Sequence, residues 1–242
     1  MRRFPWLAAA LLALAAVGWS GAQYGDISGV KVLRPEDKVD VKPVPPPEGA
    51  VALFDGKNLD NWVSQNGKDP PNWKVVGGGA VQVGKGNIIT RKKFDGHFKL
   101  HVEFRVPYMP RAKGQARGNS GVYVQGRYEV QILDSYGLAS KDNDCGAIYE
   151  VAAPRFNACK APTVWQSYDI EFHSPKCENG KKAEPARMTV YQNGILIHDS
   201  VKITKDNTRA GMGGDVCKPG PILLQDHGNP VQFRNIWLLP LK

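Results

Sequence analysis

The chain has 242 residues, a formal net charge of +9, 42% hydrophobic and 23% charged residues, with 26 Gly and 18 Pro. That apolar fraction excludes a disordered chain, and the Gly and Pro content argues for a turn-rich β protein over a helical one. The Lys and Arg residues are scattered rather than striped, which argues for a solvated basic surface and against a nucleic-acid face, and leaves room for an acidic polysaccharide partner.

Taken in chain order, Arg2 and Arg3 precede an apolar run from Trp6 to Val17, and Ser20-Gly21-Ala22 follows. This is the pattern of a secretory signal peptide over residues 1–22, with Gln23 as the first mature residue. The run is shorter than the roughly 20 residues a membrane span needs. The expectation is an exported protein, periplasmic or extracellular, with no transmembrane segment left after signal removal. Residues 23–47, ending in Lys42-Pro43-Val44-Pro45-Pro46-Pro47, read as a Pro-rich linker. Residues 48–242 read as one domain. Within it Val51–Phe54, Trp73–Val76, Ala80–Val83 and His97–Val106 are predicted strands. The last alternates strictly: Phe98, Leu100, Val102, Phe104 and Val106 share one face, and Lys99, His101, Glu103 and Arg105 share a polar face on which His101 and Glu103 are predicted to be solvated. Alternation continues through residues 122–130 as one strand, and again over Tyr168–His173. Arg187–Tyr191 and Ile195–His198 flank Asn193-Gly194, a type I′ hairpin signal. Pro221–Gln225 and Val231–Leu239 close the chain. Short strands with turn punctuation and no sustained helical period give an all-β antiparallel sandwich or jelly roll.

The chain has four cysteines and no C-x-x-C pair. An even number in an exported chain points to disulfides, and the pairing expected is Cys145–Cys159 and Cys177–Cys217.

The densest polar cluster is Glu129-x-Gln131-x-x-Asp134. Glu129 and Gln131 share a strand face with Arg127, Gln125 and Tyr123, and a bulge would bring Asp134 to the same side. Paired carboxylates suit glycoside cleavage, and the amides and aromatic ring suit a sugar. His227, in Leu224-Gln225-Asp226-His227-Gly228, is a candidate general base with a catalytic role beside Glu129 and Asp134. Asn119, Trp165 and Arg234 complete the candidate substrate contacts. Asp144, in a loop, is a weak candidate ligand for calcium or another divalent metal. Asp169, Glu171 and His173 share a strand face as a lesser cluster.

Several segments together resemble one family: Leu53-Phe-Asp-Gly-Lys-Asn-Leu-Asp-Asn-Trp62, Gly118-Asn-Ser-Gly-Val-Tyr123, Arg127-Tyr-Glu-Val-Gln-Ile-Leu-Asp134, Asp144-Cys-Gly-Ala-Ile-Tyr149, Trp165-Gln-Ser-Tyr-Asp169, Pro185-Ala-Arg187, Leu224-Gln-Asp-His-Gly228 and Phe233-Arg-Asn-Ile-Trp237. In order and spacing they are similar to the 3-keto-disaccharide hydrolase family, once known only as a domain of unknown function. The resemblance runs from about residue 49 to the end. It implies a concanavalin A-like sandwich acting on a small-molecule carbohydrate, with no required cofactor and a divalent metal compatible. The cluster is also similar to the E-x-D-x-x-E signature of sandwich-fold glucanases, but Gln131 stands where the middle acid would be. That departure favours another route. A ketone at C3 acidifies the C2 hydrogen, a base removes it, the C1 substituent leaves, and water adds to the enone. Glu129 or His227 would be the base, Arg127 or Arg234 the group on the ketone, and Asp134 the acid or a positioning group. The competing reading is a lectin-like module that binds sugar without cleaving it.

Overall fold

Period-two alternation decides which faces of this molecule meet. The computed structural model describes residues 24–242, so the signal peptide read at 1–22 lies outside the described residues. In chain order the strands are β1 (Val51–Phe54), β2 (Trp62–Ser64), β3 (Asn72–Val76), β4 (Ala80–Lys85), β5 (Ile88–Thr90), β6 (His97–Arg105), β7 (Ser120–Val124), β8 (Tyr128–Ile132), β9 (Gln166–His173), β10 (Lys176–Glu178), β11 (Lys181–Glu184), β12 (Ala186–Gln192), β13 (Ile195–Ile203), β14 (Leu223–Leu224) and β15 (Gln232–Pro240). One sheet runs β13-β12-β9-β6-β15-β4-β3, with β1 also paired to β15; a second runs β2-β5-β14-β7-β8; β10 and β11 form a separate ribbon. The pairings are antiparallel throughout, as predicted.

The core lies between the two sheets. Phe98, Leu100, Val102 and Phe104 of β6 share one buried cluster with Val122, Val124, Tyr128, Val130 and Ile132 of β7 and β8. The Tyr128 and Phe172 rings meet across the layers at 5.6 Å, and the Tyr168 hydroxyl donates to the Gln131 carbonyl at 2.6 Å. Burial of this apolar surface is the main stabilising term.

Four expectations are corrected. Residues 122–130 are not one strand but the β7–β8 hairpin, turned at Gln125 (φ 53°) and Gly126 (φ 66°) and closed by Arg127 N donating to Val124 O at 3.0 Å. Val124 pairs with Tyr128 across three residues, and an odd number between partners keeps the parity of the pattern, so alternation reads straight through the turn. The hairpin sets Tyr123 opposite Glu129 and Gly121 opposite Gln131, and this pairing builds the site.

The segment read as a free linker is, from Tyr24 on, a strap bonded to the outer face of the larger sheet. Val41 N donates to Trp165 O at 3.1 Å, Val44 N to Glu103 Oε1 at 3.2 Å, and Trp237 Nε1 to Val44 O at 2.9 Å. A short 3₁₀ turn, Pro35–Lys38, buries Asp37 against Arg34 and the Tyr136 hydroxyl. The centre of β6's polar face is therefore not solvated. His101 and Glu103 are fully buried. Glu103 accepts from Arg234 Nε at 2.6 Å and Asn235 Nδ2 at 2.7 Å, while His101 Nδ1 meets Asp169 Oδ1 at 3.0 Å.

The Cys177–Cys217 disulfide is present. Cys145 and Cys159 are buried free thiols instead. Each faces the Gln192 amide, whose Nε2 lies 3.5 Å from one sulfur and 3.6 Å from the other. No helix among the described residues is long and apolar enough to cross a membrane.

Candidate active site

The outward side chains of β7 and β8 alternate with the core: Val122, Tyr128, Val130 and Ile132 point in, while Tyr123, Glu129 and Gln131 line a cavity of about 100 Å³. Loops complete it with Gln115, Asn119, Tyr149, Arg209, Gln225 and His227. The predicted residues Asn119, Tyr123, Glu129, Gln131 and His227 thus converge.

Glu129 lies among the polar groups that line the cavity. Its backbone N–H donates to Thr208 Oγ1 at 3.1 Å, and its side chain, 3% exposed, hydrogen-bonds the Tyr123 hydroxyl. Burial pushes its carboxyl up to about 8, because ionising it in a water-poor site is costly and the Tyr123 bond only partly offsets that. Burial likewise raises the Tyr123 phenol, with the neighbouring Glu129 adding to it. At neutral pH Glu129 is therefore a carboxylic acid with a proton to give. Room for it comes from Gly121 across the strand pair. A Cβ there would stand 3.1 Å from Glu129 Cδ and 2.9 Å from Tyr123 Cε2, closer than side-chain carbons approach.

The amides around Glu129 are held in one sense. Gln115, in the 3₁₀ turn Gly114–Ala116, donates from Nε2 to Asn143 O at 2.8 Å. Its Oε1 accepts from Asn119 Nδ2 and from Gln131 Nε2, both at 3.0 Å. Gln225 Nε2 donates to the Tyr123 hydroxyl at 3.0 Å. Their NH₂ groups are thus occupied, while Asn119 Oδ1, Gln131 Oε1 and Gln225 Oε1 are buried without a partner among the described residues. Unmet buried acceptors are costly, so a cavity carrying three of them is prepared for a ligand rich in donors, such as a polyol. Arg209 stands at the wall, paired with Glu150 at 3.1 Å, and exposed His227 stands at the rim.

Other predicted residues lie elsewhere. Ile132 and Leu133 both enter the core, which breaks the alternation, yet Asp134 is not returned to Glu129. Its carboxylate pairs with Arg117 Nε at 3.2 Å, outside the residues lining the cavity. Gln125 and Arg127 line a neighbouring groove. Trp165 and Arg234 are on the far sheet, under the strap: the Arg234 guanidinium stacks 4.2 Å over the Trp165 ring and pairs with Glu103. Both serve the buried network there. Asp144 occupies a turn, its carbonyl accepting from Ala147 N at 3.0 Å. The cluster of metal-ligating side chains among the described residues is His97, Glu171 and His173. There Glu171 Oε1 meets His97 Nε2 at 2.9 Å, whereas Asp169 pairs with His101 and Lys99. Gln115, Tyr149, Arg209 and Gln225 were not foreseen; all four lie outside the strand that carries Glu129, and Tyr149 is held beside it by its backbone N donating to Glu129 O at 3.1 Å.

No curated protein matches the chain. Among solved structures, a provisionally named glycosyl hydrolase of Parabacteroides distasonis is 34% identical over 86% of this chain and 97% of its own, with a TM-score of 0.73. Two further provisionally named glycosyl hydrolases of that organism share the fold at 20% and 24% identity, covering 87% and 79% of this chain and 99% of their own lengths, with TM-scores of 0.61 and 0.55. A family model matches residues 49–239, and on that match the chain belongs to the 3-keto-alpha-glucoside-1,2-lyase-like domain family.

Proposed function

We propose that this carbohydrate-active protein is exported and cleaves 3-keto-glycosides or 3-keto-disaccharides by elimination followed by hydration. The observation that carries the reading is Glu129: a buried carboxyl, protonated at neutral pH, set beside three unpartnered amide oxygens. The amide oxygens accept from sugar hydroxyls. A ketone at C3 offers no donor, so it turns to the cavity's own donors, of which Arg209 and Tyr149 are placed to serve. They replace Arg127 and Arg234 in that role. His227 at the rim takes the proton from C2. The electron pair of that C–H bond forms the C1–C2 double bond as the C1–O bond breaks. Glu129 gives its proton to the departing oxygen. Water then adds across the enone, its hydroxyl to C1 and its proton to C2, which releases the keto sugar. A single carboxyl suffices here, so it is no obstacle that Glu129 is the one carboxyl lining the cavity among the described residues.

The test incubates the purified mature protein with a 3-keto-disaccharide and with the unoxidised sugar. Only the first should be cleaved. Glu129→Gln should lower kcat/KM by about 10²–10⁴-fold. For the parent protein the rate should fall as pH rises through about 8, where the acid loses its proton. Cleavage of the unoxidised sugar at a similar rate, or full activity in Glu129→Gln, would overturn the assignment; tight binding with no cleavage of either would identify a sugar-binding module.

A further inference from the structure

Beside the Glu129 cavity, over the same outer face of the smaller sheet, lies a groove of about 720 Å³. Val63 of β2 and Ile89 of β5 line it, and both pack in one small cluster with Tyr123 and Leu223. The segment after Arg209 walls both spaces: Arg209 and Ala210 face the cavity, and Met212 to Asp215 face the groove. The disulfide at Cys217 ties that wall to the β10–β11 ribbon.

The groove is basic. Arg91, Lys93, Arg127 and Lys218 line it against one carboxylate, Asp215, whose Oδ1 accepts from Cys217 N at 2.9 Å. Arg127 is 5% exposed. Its Nη2 donates to Asp215 O at 2.5 Å and Lys218 O at 3.2 Å, and its Nη1 to Gln125 Oε1 at 3.3 Å. Its Nε is buried with no partner among the described residues. A buried cationic donor without an acceptor is costly, and an anion beside it removes the cost. Arg127 and Glu129 stand two residues apart with Tyr128 between them in the core, which sets them roughly 7 Å apart along one face. Adjacent units of one small molecule span that distance.

Resting on the reading of Glu129 as the acid, we propose that the groove seats the departing half of the substrate, and that this half carries an anionic group held by Arg127, Lys93 and Lys218. Carboxylate, sulfate and phosphate share the chemistry. The apolar stretch of Val63, Ile89 and Met212 takes the ring that bears it.

The test compares 3-keto-disaccharides that differ only in the leaving unit: glucose, glucuronic acid, and glucose 6-sulfate. The anionic substrates should have kcat/KM about tenfold above the neutral one, and added salt should shrink the gap. The two anionic arms distinguish a carboxylate from a sulfate. In the Lys93→Ala/Lys218→Ala protein the anionic-to-neutral ratio should fall towards one. Equal kcat/KM for all substrates, or a ratio unmoved by the double substitution, would overturn the proposal while leaving the Glu129 reading intact. If no keto substrate is cleaved, the Glu129 reading fails, and calorimetry with glucuronate and glucose judges the groove alone. Tighter glucuronate binding that weakens in the double variant supports it; equal binding or none overturns it.

Discussion

Glu129 is useful because its neighbours leave it nowhere better to go. Gly121 gives it space, Thr208 fixes its backbone, and Tyr123 takes its side chain. Gly121→Ala puts a methyl group where the carboxyl and the Tyr123 ring now stand. The carboxyl must shift, and a shift of about 1 Å at a reacting group costs about 100-fold in rate. The expected outcome is that loss in kcat, with far-ultraviolet circular dichroism unchanged. A Gly121→Ala protein of full activity would place the acid elsewhere. At this scale the sequence was partly legible. Tyr123, Glu129 and Gln131 declared themselves because strand parity assigns their faces. Arg127 obeys the same parity but falls into the next chamber, since the chain turns just before it. Gln115, Arg209 and Gln225 arrive from loops, whose approach no local pattern encodes.

The strap is the element whose role composition misread. Lys42 to Pro47 has the content of a spacer, with few apolar groups to bury. What holds it is backbone: Val41 and Val44 donate N–H groups, and the Val44 carbonyl accepts from Asn235 and Trp237. Any residue but proline can donate such bonds and any residue can accept them, so sequence does not announce them. The strap in turn makes the polar face of β6 tenable. Burial opposes the charges on Glu103 and His101, but His101, Asn235 and Arg234 together hold the Glu103 carboxyl below its usual range, and Asp169 and Glu103 hold the His101 imidazole above its own. A chain beginning at Glu48 loses the Val44 bond to Glu103 and opens this network to water. Its stability should fall by about 3 kcal/mol, a drop of roughly 6–12 °C in Tm. Activity below that temperature should survive, because the Glu129 cavity lies on the other sheet. An unchanged Tm would mean that the strap rests on the sheet without stabilising it. The strands themselves were legible wherever alternation ran long, as in β6. The two- and three-residue strands β14, β2 and β5 are too short for a period to show.

For the whole molecule, the acid site is a standing cost, and its sign can be worked out. The Glu129 carboxyl holds its proton up to about pH 8 in the folded chain, against an ordinary value of 4.5. Between those limits the folded state binds more protons than the unfolded one, so stability falls as pH rises. The loss starts near 4.5, grows through neutrality and levels off above about 8. Its full size is on the order of 4 kcal/mol for a shift of this magnitude in a group 3% exposed. Glu129→Gln keeps the shape and removes the ionisation. That protein should match its parent in stability below pH 4.5 and exceed it progressively above, reaching about 10 °C in Tm by pH 9, while losing catalysis. His101, Asp169 and the other titrating groups are common to both proteins, so the difference between their melting curves isolates position 129. A difference that stays flat across pH would show that Glu129 ionises normally in the folded chain, and the acid role argued for it would fall with that result.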